Sequence, residues 1–120
     1  SDMVAVDGFS IGNMQDVVIR DRQMLSEDGI FIVVIALNTR TGKLRKSPDI
    51  ISRGFVYLRE SQNLLQESRV LIKKTIEDSV RNIRPVNFDL LKTEITDVVR
   101  KFLLHRTDKK PLVIPVILGV

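Results

Sequence analysis

The chain has 120 residues, 43% of them hydrophobic, with no Cys, no Trp and one Tyr. That suffices for one domain with a core of Val, Ile, Leu and Phe, and it excludes disulfides and thiolate metal sites. The net charge of +4 is unevenly placed: residues 1–38 carry two basic and six acidic side chains, residues 39–120 seventeen and nine. A basic body suits an anionic partner, and it equally suits a well-solvated surface.

No apolar run approaches the roughly 20 residues that span a bilayer. Ser1-Asp2-Met3 is polar, and no apolar stretch follows it. The expectation is a cytoplasmic protein with no signal peptide and no membrane contact. The lack of Cys fits a reducing compartment.

Val4-Ala5-Val6, followed by Gly8 and Gly12, reads as a short strand running into a loop. Asn13 is placed to cap a helix over 13–28, with Met14, Val17, Val18 and Leu25 on one face and Gly29 as a left-handed cap. The β-branched run Val17-Val18-Ile19 pulls the other way, towards a strand. Residues 1–29 are read as a connector containing a short helix, and residues 30–120 as the domain.

The apolar run from Ile30 to Leu37 predicts a strand buried on both faces, ending near Asn38. Thr39-Arg40-Thr41-Gly42 is a turn, so a second strand from Lys43 makes a hairpin. Pro48 interrupts that strand, which is therefore short, bulged or at an edge. A helix is predicted from Glu60 to about Asn82, with Leu64, Leu65, Leu71, Ile72, Ile76 and Ile83 lining one side. Ser68, Thr75 and Ser79 lie near that side and allow a close neighbour, and Glu77 can pair with Arg81. Arg84-Pro85 stops this helix. Asn87 caps the next, where Phe88, Leu91, Ile95, Val98, Phe102 and Leu103 recur at helical spacing to about Arg106. Leu112 to Leu118 is the last strand, and Pro115 places it at an edge or a bulge. The expected fold is α+β: a two-layer domain of order β-β-α-α-β, with a three-stranded sheet and two amphipathic helices on one face.

Catalytic chemistry finds little purchase. His105 is the lone His, near a helix C-terminus, where interaction with the helix dipole is the commoner role. Every HxH or HExxH pattern is absent, Ser52-Arg53-Gly54 is no nucleophile elbow, and Gly8 and Gly12 make no phosphate loop. The chain is expected to hold no metal or cofactor of its own.

Two features point to binding. Arg40, Lys43, Arg45 and Lys46 put four cations within seven residues of the hairpin, suited to phosphate contact or to guarding a strand edge. Arg53-Gly54-Phe55-Val56-Tyr57 is similar to the opening of the RNP1 strand of RNA-recognition motifs, where aromatics stack on bases. Val56 stands where that motif has a small residue, and the element order differs. Phe55 and Tyr57 are therefore read as core or interface, and Arg53 joins the candidate RNA contacts. Pro48, Phe55, Tyr57 and Pro115 are the candidate interface residues.

The segment Pro48-Asp49-Ile50-Ile51-Ser52-Arg53-Gly54-Phe55-Val56-Tyr57-Leu58-Arg59-Glu60-Ser61 closely resembles the opening of the C-terminal domain of bacterial ribonuclease J. Val6-Asp7-Gly8, Arg20-Asp21-Arg22 and Ser26-Glu27-Asp28-Gly29 are similar to the region joining the nuclease core to that domain. Lys110-Pro111-Leu112-Val113-Ile114-Pro115-Val116-Ile117 is similar to its closing strand. Phe9-Ser10-Ile11-Gly12-Asn13-Met14-Gln15 departs from the family's more Gly-rich connector, and Gly119-Val120 from its common ending.

The resemblance implies a parent with a metallo-β-lactamase core and an inserted β-CASP domain. Such a parent cuts RNA as an endonuclease and as a 5′-to-3′ exonuclease with zinc or a similar ion. The family's metal ligands lie upstream of the matched region, so none transfers to this chain. It also implies a small C-terminal domain active in self-association and needed for full activity. The expected partners are the parent nuclease core, further copies in a homo-oligomer such as a dimer, and RNA through the parent. The alternative is a free-standing RNA-binding module that uses the basic hairpin.

Overall fold

The computed structural model describes residues 28–55, 61–83 and 85–120. The helix expected over 13–28 and the short strand at 4–6 lie outside those residues, apart from Asp28 in a turn.

Strand β1, Ile30–Leu37, is the centre of a three-stranded sheet. Its eight residues are all apolar, and six of them are Ile, Val or Phe, which favour a pleated surface covered on both sides. β2, Asp49–Arg53, pairs with it antiparallel from Ile30↔Arg53 to Val34↔Asp49. Beyond that ladder a single bridge joins Leu37 to Leu44, so Arg45 to Pro48 lie opposite only Ile35 and Ala36. The two extra residues form the bulge that Pro48 predicts. Arg45 N–H still donates to the Ala36 carbonyl at 2.9 Å.

Helix α1, Ser61–Asn82, follows, then α2, Phe88–Thr107, and strand β3, Leu112–Gly119. β3 returns parallel to β1 over eight residue pairs, giving the strand order β2-β1-β3. The sheet is thus mixed, and among the described residues β2 and β3 stand at its two edges.

The helices share one face of the sheet. α1 buries Leu64, Ser68, Ile72 and Ile76, each four residues from the last. Ser68 fits inside because its hydroxyl donates to the Leu64 carbonyl at 2.8 Å. α2 buries Leu91, Ile95, Val99 and Leu103 at the same spacing. The Asn87 side chain accepts from Leu90 N–H at 3.0 Å and caps α2 as its sequence predicts. The far end closes on Asp108, left-handed at φ 60°, whose N–H donates to the Leu104 carbonyl.

Odd-numbered β1 residues Phe31, Val33, Ile35 and Leu37 meet these helices, with Val113 and Ile117 of β3. Phe55 joins them, edge-on to Phe31 at 5.9 Å between ring centroids. Even-numbered positions form a second apolar cluster on the opposite face: Ile30, Ile32 and Val116, with Val34, Ile51, Leu112, Ile114 and Leu118 partly buried beside them.

Candidate nucleic-acid and assembly interface

The hairpin turn is built by Asn38. Its Oδ1 accepts from the N–H groups of Arg40 and Thr41, both at 2.9 Å, while its carbonyl accepts from Gly42 N–H at 2.8 Å. Gly42 has φ +75°, and a Cβ there would stand 2.9 Å from Val80 Cβ. Only glycine allows both the turn and this close seat on α1.

That seat makes a groove of about 440 Å³ between the turn and α1. Lys43 lines it from the hairpin, and Lys73, Glu77 and Arg81 line it from the helix. Arg81 Nη1 pairs with Asp78 at 3.2 Å, one residue away from the Glu77 partner that its spacing suggests. The hairpin cations therefore have different surroundings. Arg40, Lys43 and Arg45 are exposed. Lys46 Nζ lies 3.0 Å from Asp49 Oδ2, an exposed pair of small energetic worth that lowers the local positive charge. Arg53 stands at the other end of β2, about 13 Å along the strand from Asp49, and Nη1 donates to the Ser52 carbonyl. Lys73 and Arg81 are additions that the hairpin sequence did not indicate. Their signal is the i,i+4 register of residues 73, 77 and 81 on one helix face.

A second groove, of about 350 Å³, lies where α2 gives way to β3. Arg100, Lys101 and Lys110 line it with Asp97 and Leu104. Nearby, Arg106 ties the helices together with two hydrogen bonds to Glu67, at 2.6 and 3.0 Å, and its guanidinium sits 5.4 Å from the Phe102 ring centroid. The Arg106 hydrogen bond holds the Glu67 carboxyl below its ordinary range, and Glu67 raises Arg106.

The candidate interface residues separate. Pro48 is fully buried, and its carbonyl accepts from Arg69 Nε at 3.2 Å. Phe55 is 4% exposed in the helix-side core. Both are buried within this chain. Tyr57 lies outside the described residues.

Pro115 is half-buried on β3. Leu112 N–H donates to the Gly29 carbonyl and Val120 N–H to the Leu37 carbonyl. In a parallel ladder alternate residues face the partner, so even-numbered β3 residues point their N–H at β1 and odd-numbered ones at the free edge. Pro115 occupies an outward position. Its missing N–H takes nothing from the ladder and removes a donor from the middle of that edge.

Among the described residues no group of three or more His, Asp or Glu stands together as a metal site. Nor, among the described residues, is any helix long and apolar enough to cross a membrane.

Fold and surface together define a small α+β module whose charged chemistry lies in open basic grooves on its surface. The chain belongs to the ribonuclease J family. Residues 17–120 match the family model for the ribonuclease J C-terminal domain. The chain is 38% identical over 114 residues to ribonuclease J 2 of Staphylococcus epidermidis, covering 95% of this chain and 20% of that protein. It is 38% identical over 117 residues to ribonuclease J2 of Bacillus subtilis, covering 98% and 21%. The ribonuclease J 2 of Staphylococcus aureus is 38% identical over 114 residues, covering 95% and 20%. The chain thus spans about a fifth of the length of these relatives.

Proposed function

We propose that this chain is a non-catalytic assembly domain of a cytoplasmic ribonuclease J, acting in RNA processing and decay by supporting oligomerisation and full activity of a zinc-dependent endo- and 5′-to-3′ exoribonuclease. The observation that carries the reading is the match of residues 17–120 to the family's C-terminal domain. Residues 30–120 serve as the domain and residues 1–29 lead to it from the nuclease core. Chemistry belongs to that core, and this part positions one core against another. Pro115 disfavours growth of the sheet through the β3 edge, so self-association draws on the outer helix surfaces, where Val70 is 60% and Leu104 39% exposed.

Sedimentation of the chain at high micromolar concentration tests this. A species larger than a monomer is expected, and a strict monomer overturns assembly by this domain alone. In the parent enzyme, removing the domain is expected to lower both oligomer size and turnover of RNA.

The hairpin favours RNA contact as a second role. Lys43, Arg40 and Arg45 are exposed beside the groove that Lys73 and Arg81 extend. Such contacts address phosphates, so affinity is expected to fall with salt and to be independent of base sequence. Joint alanine replacement of Lys43, Arg45 and Lys46 is expected to weaken RNA binding and flatten its salt dependence. Unchanged affinity removes this patch from the reading.

A further inference from the structure

The turn between α2 and β3 is fixed at each step. Asp108 N–H donates to the Leu104 carbonyl at 2.8 Å, Lys109 N–H to Thr107 Oγ1 at 3.1 Å, and Lys110 N–H to Asp28 Oδ2 at 2.7 Å. Successive backbone donors are thereby satisfied while the left-handed Asp108 reverses the chain. This brings Lys110 back to the groove of about 350 Å³ on α2, where Arg100 and Lys101 also stand. Asp97, Lys101 and Leu104 follow at spacings of four and three, so they share one stripe of the helix. All the residues that line the groove are exposed. Among the described residues none of Arg100, Lys101 and Lys110 belongs to an ion pair, although Asp97 lies within helical reach of the first two. Arg106 differs, because its guanidinium is occupied by two hydrogen bonds to Glu67.

We propose that this groove is a second contact for the sugar-phosphate backbone of RNA, separate from the hairpin and at the other end of the sheet. The hairpin follows Leu37, the last residue of β1, whereas Lys110 stands just before Leu112, which pairs with Ile30 at the first. Three cations face one carboxylate here, and each cation is available to a phosphate. Among the described residues no aromatic side chain lines the groove, so its grip is electrostatic and indifferent to the bases. Two other occupants fit less well. A peptide draws much of its affinity from apolar anchors, and Leu104 is the one apolar side chain among the described lining residues. A second copy joined by a two-fold contact centred here would set this basic rim against itself, a juxtaposition of like charges that opposes association.

The inference rests on the reading of the chain as a part of a ribonuclease J that meets RNA, and its test keeps the two apart. Backbone amide shifts of the full 120-residue chain are followed at low salt on titration with an oligouridine. Shifts are expected at residues 97–104 and 109–110, besides those at the hairpin. Shifts confined to residues 38–46 and 73–81 overturn the second contact and leave the hairpin contact in place. No shift anywhere overturns both. An oligoglutamate peptide of equal length is the second arm. Equal shifts of the groove amides with that peptide overturn RNA as the occupant and give the groove to an acidic protein segment. Joint replacement Arg100→Gln, Lys101→Gln and Lys110→Gln is expected to lower the slope of log affinity against log salt by about 2, at ~0.7 for each phosphate contact on a single strand. An unchanged slope overturns the proposal.

Discussion

The two faces of this one sheet are both apolar, and they differ in what they meet. On the helix side Phe31, Val33, Ile35 and Leu37 of β1 are wholly shielded, and α1 and α2 present rows of side chains at four-residue spacing to receive them. On the other side Ile30, Ile32 and Val116 are shielded almost as well, while Val34, Ile51 and Ile114 remain partly open. A continuous apolar strand therefore reports that both its faces are covered. It does not report how tightly each cover fits, because tightness depends on side chains contributed from elsewhere in the chain.

Paired truncations on β1 break or sharpen that contrast. Ile35→Ala on the helix side is expected to cost about 4 kcal/mol in urea unfolding, since a close-packed site leaves a cavity that cannot collapse. Ile32→Ala on the opposite face is expected to cost about 2 kcal/mol, at the lower end for such changes. Equal losses would mean that the two covers are equally rigid. Asn87→Ala removes the side-chain acceptor at the start of α2 and is expected to cost about 1 kcal/mol.

The smallest effect is expected from the Arg106–Glu67 bridge, which is exposed to solvent. The Glu67 carboxyl is held below its ordinary range chiefly by the Arg106 hydrogen bond. Its contribution is present above the unfolded carboxyl pKa and is lost as pH falls through the lower folded value. Arg106 is shifted upward, so its own contribution fades only at far alkaline pH. Glu67→Gln is expected to flatten the acid side of a Tm-against-pH profile slightly and to leave neutral pH nearly unchanged.

Much of the fold is legible in the chain. β1, the Asn87 cap and the recurrence from Leu91 to Leu103 follow from local patterns, and they stand within a residue or two of expectation. The parallel return of β3 beside β1 was not legible, because strand partners are chosen by how the two intervening helices pack across the sheet. Asp108 as a left-handed cap was also hidden, since Gly is the usual signal there. At the candidate site the hairpin cations are visible as a cluster. Their junction with Lys73 and Arg81 is not, since it depends on Gly42 meeting Val80 across the fold. Phe55 reads as core or interface in the sequence, and Pro48 as an interface candidate beside an interrupted strand. The bulge and the Phe31 contact turn both inward.

Pro115 also bears on the geometry of any larger assembly. A sheet that accepts strands at its edge can pair with the same edge of a second copy about a two-fold axis, or join head to tail into a ring or filament. An outward Pro in the middle of β3 leaves an incoming strand facing a gap in the row of donors. The β3 edge is thereby closed to a further strand, whereas β2 keeps the other edge of the sheet.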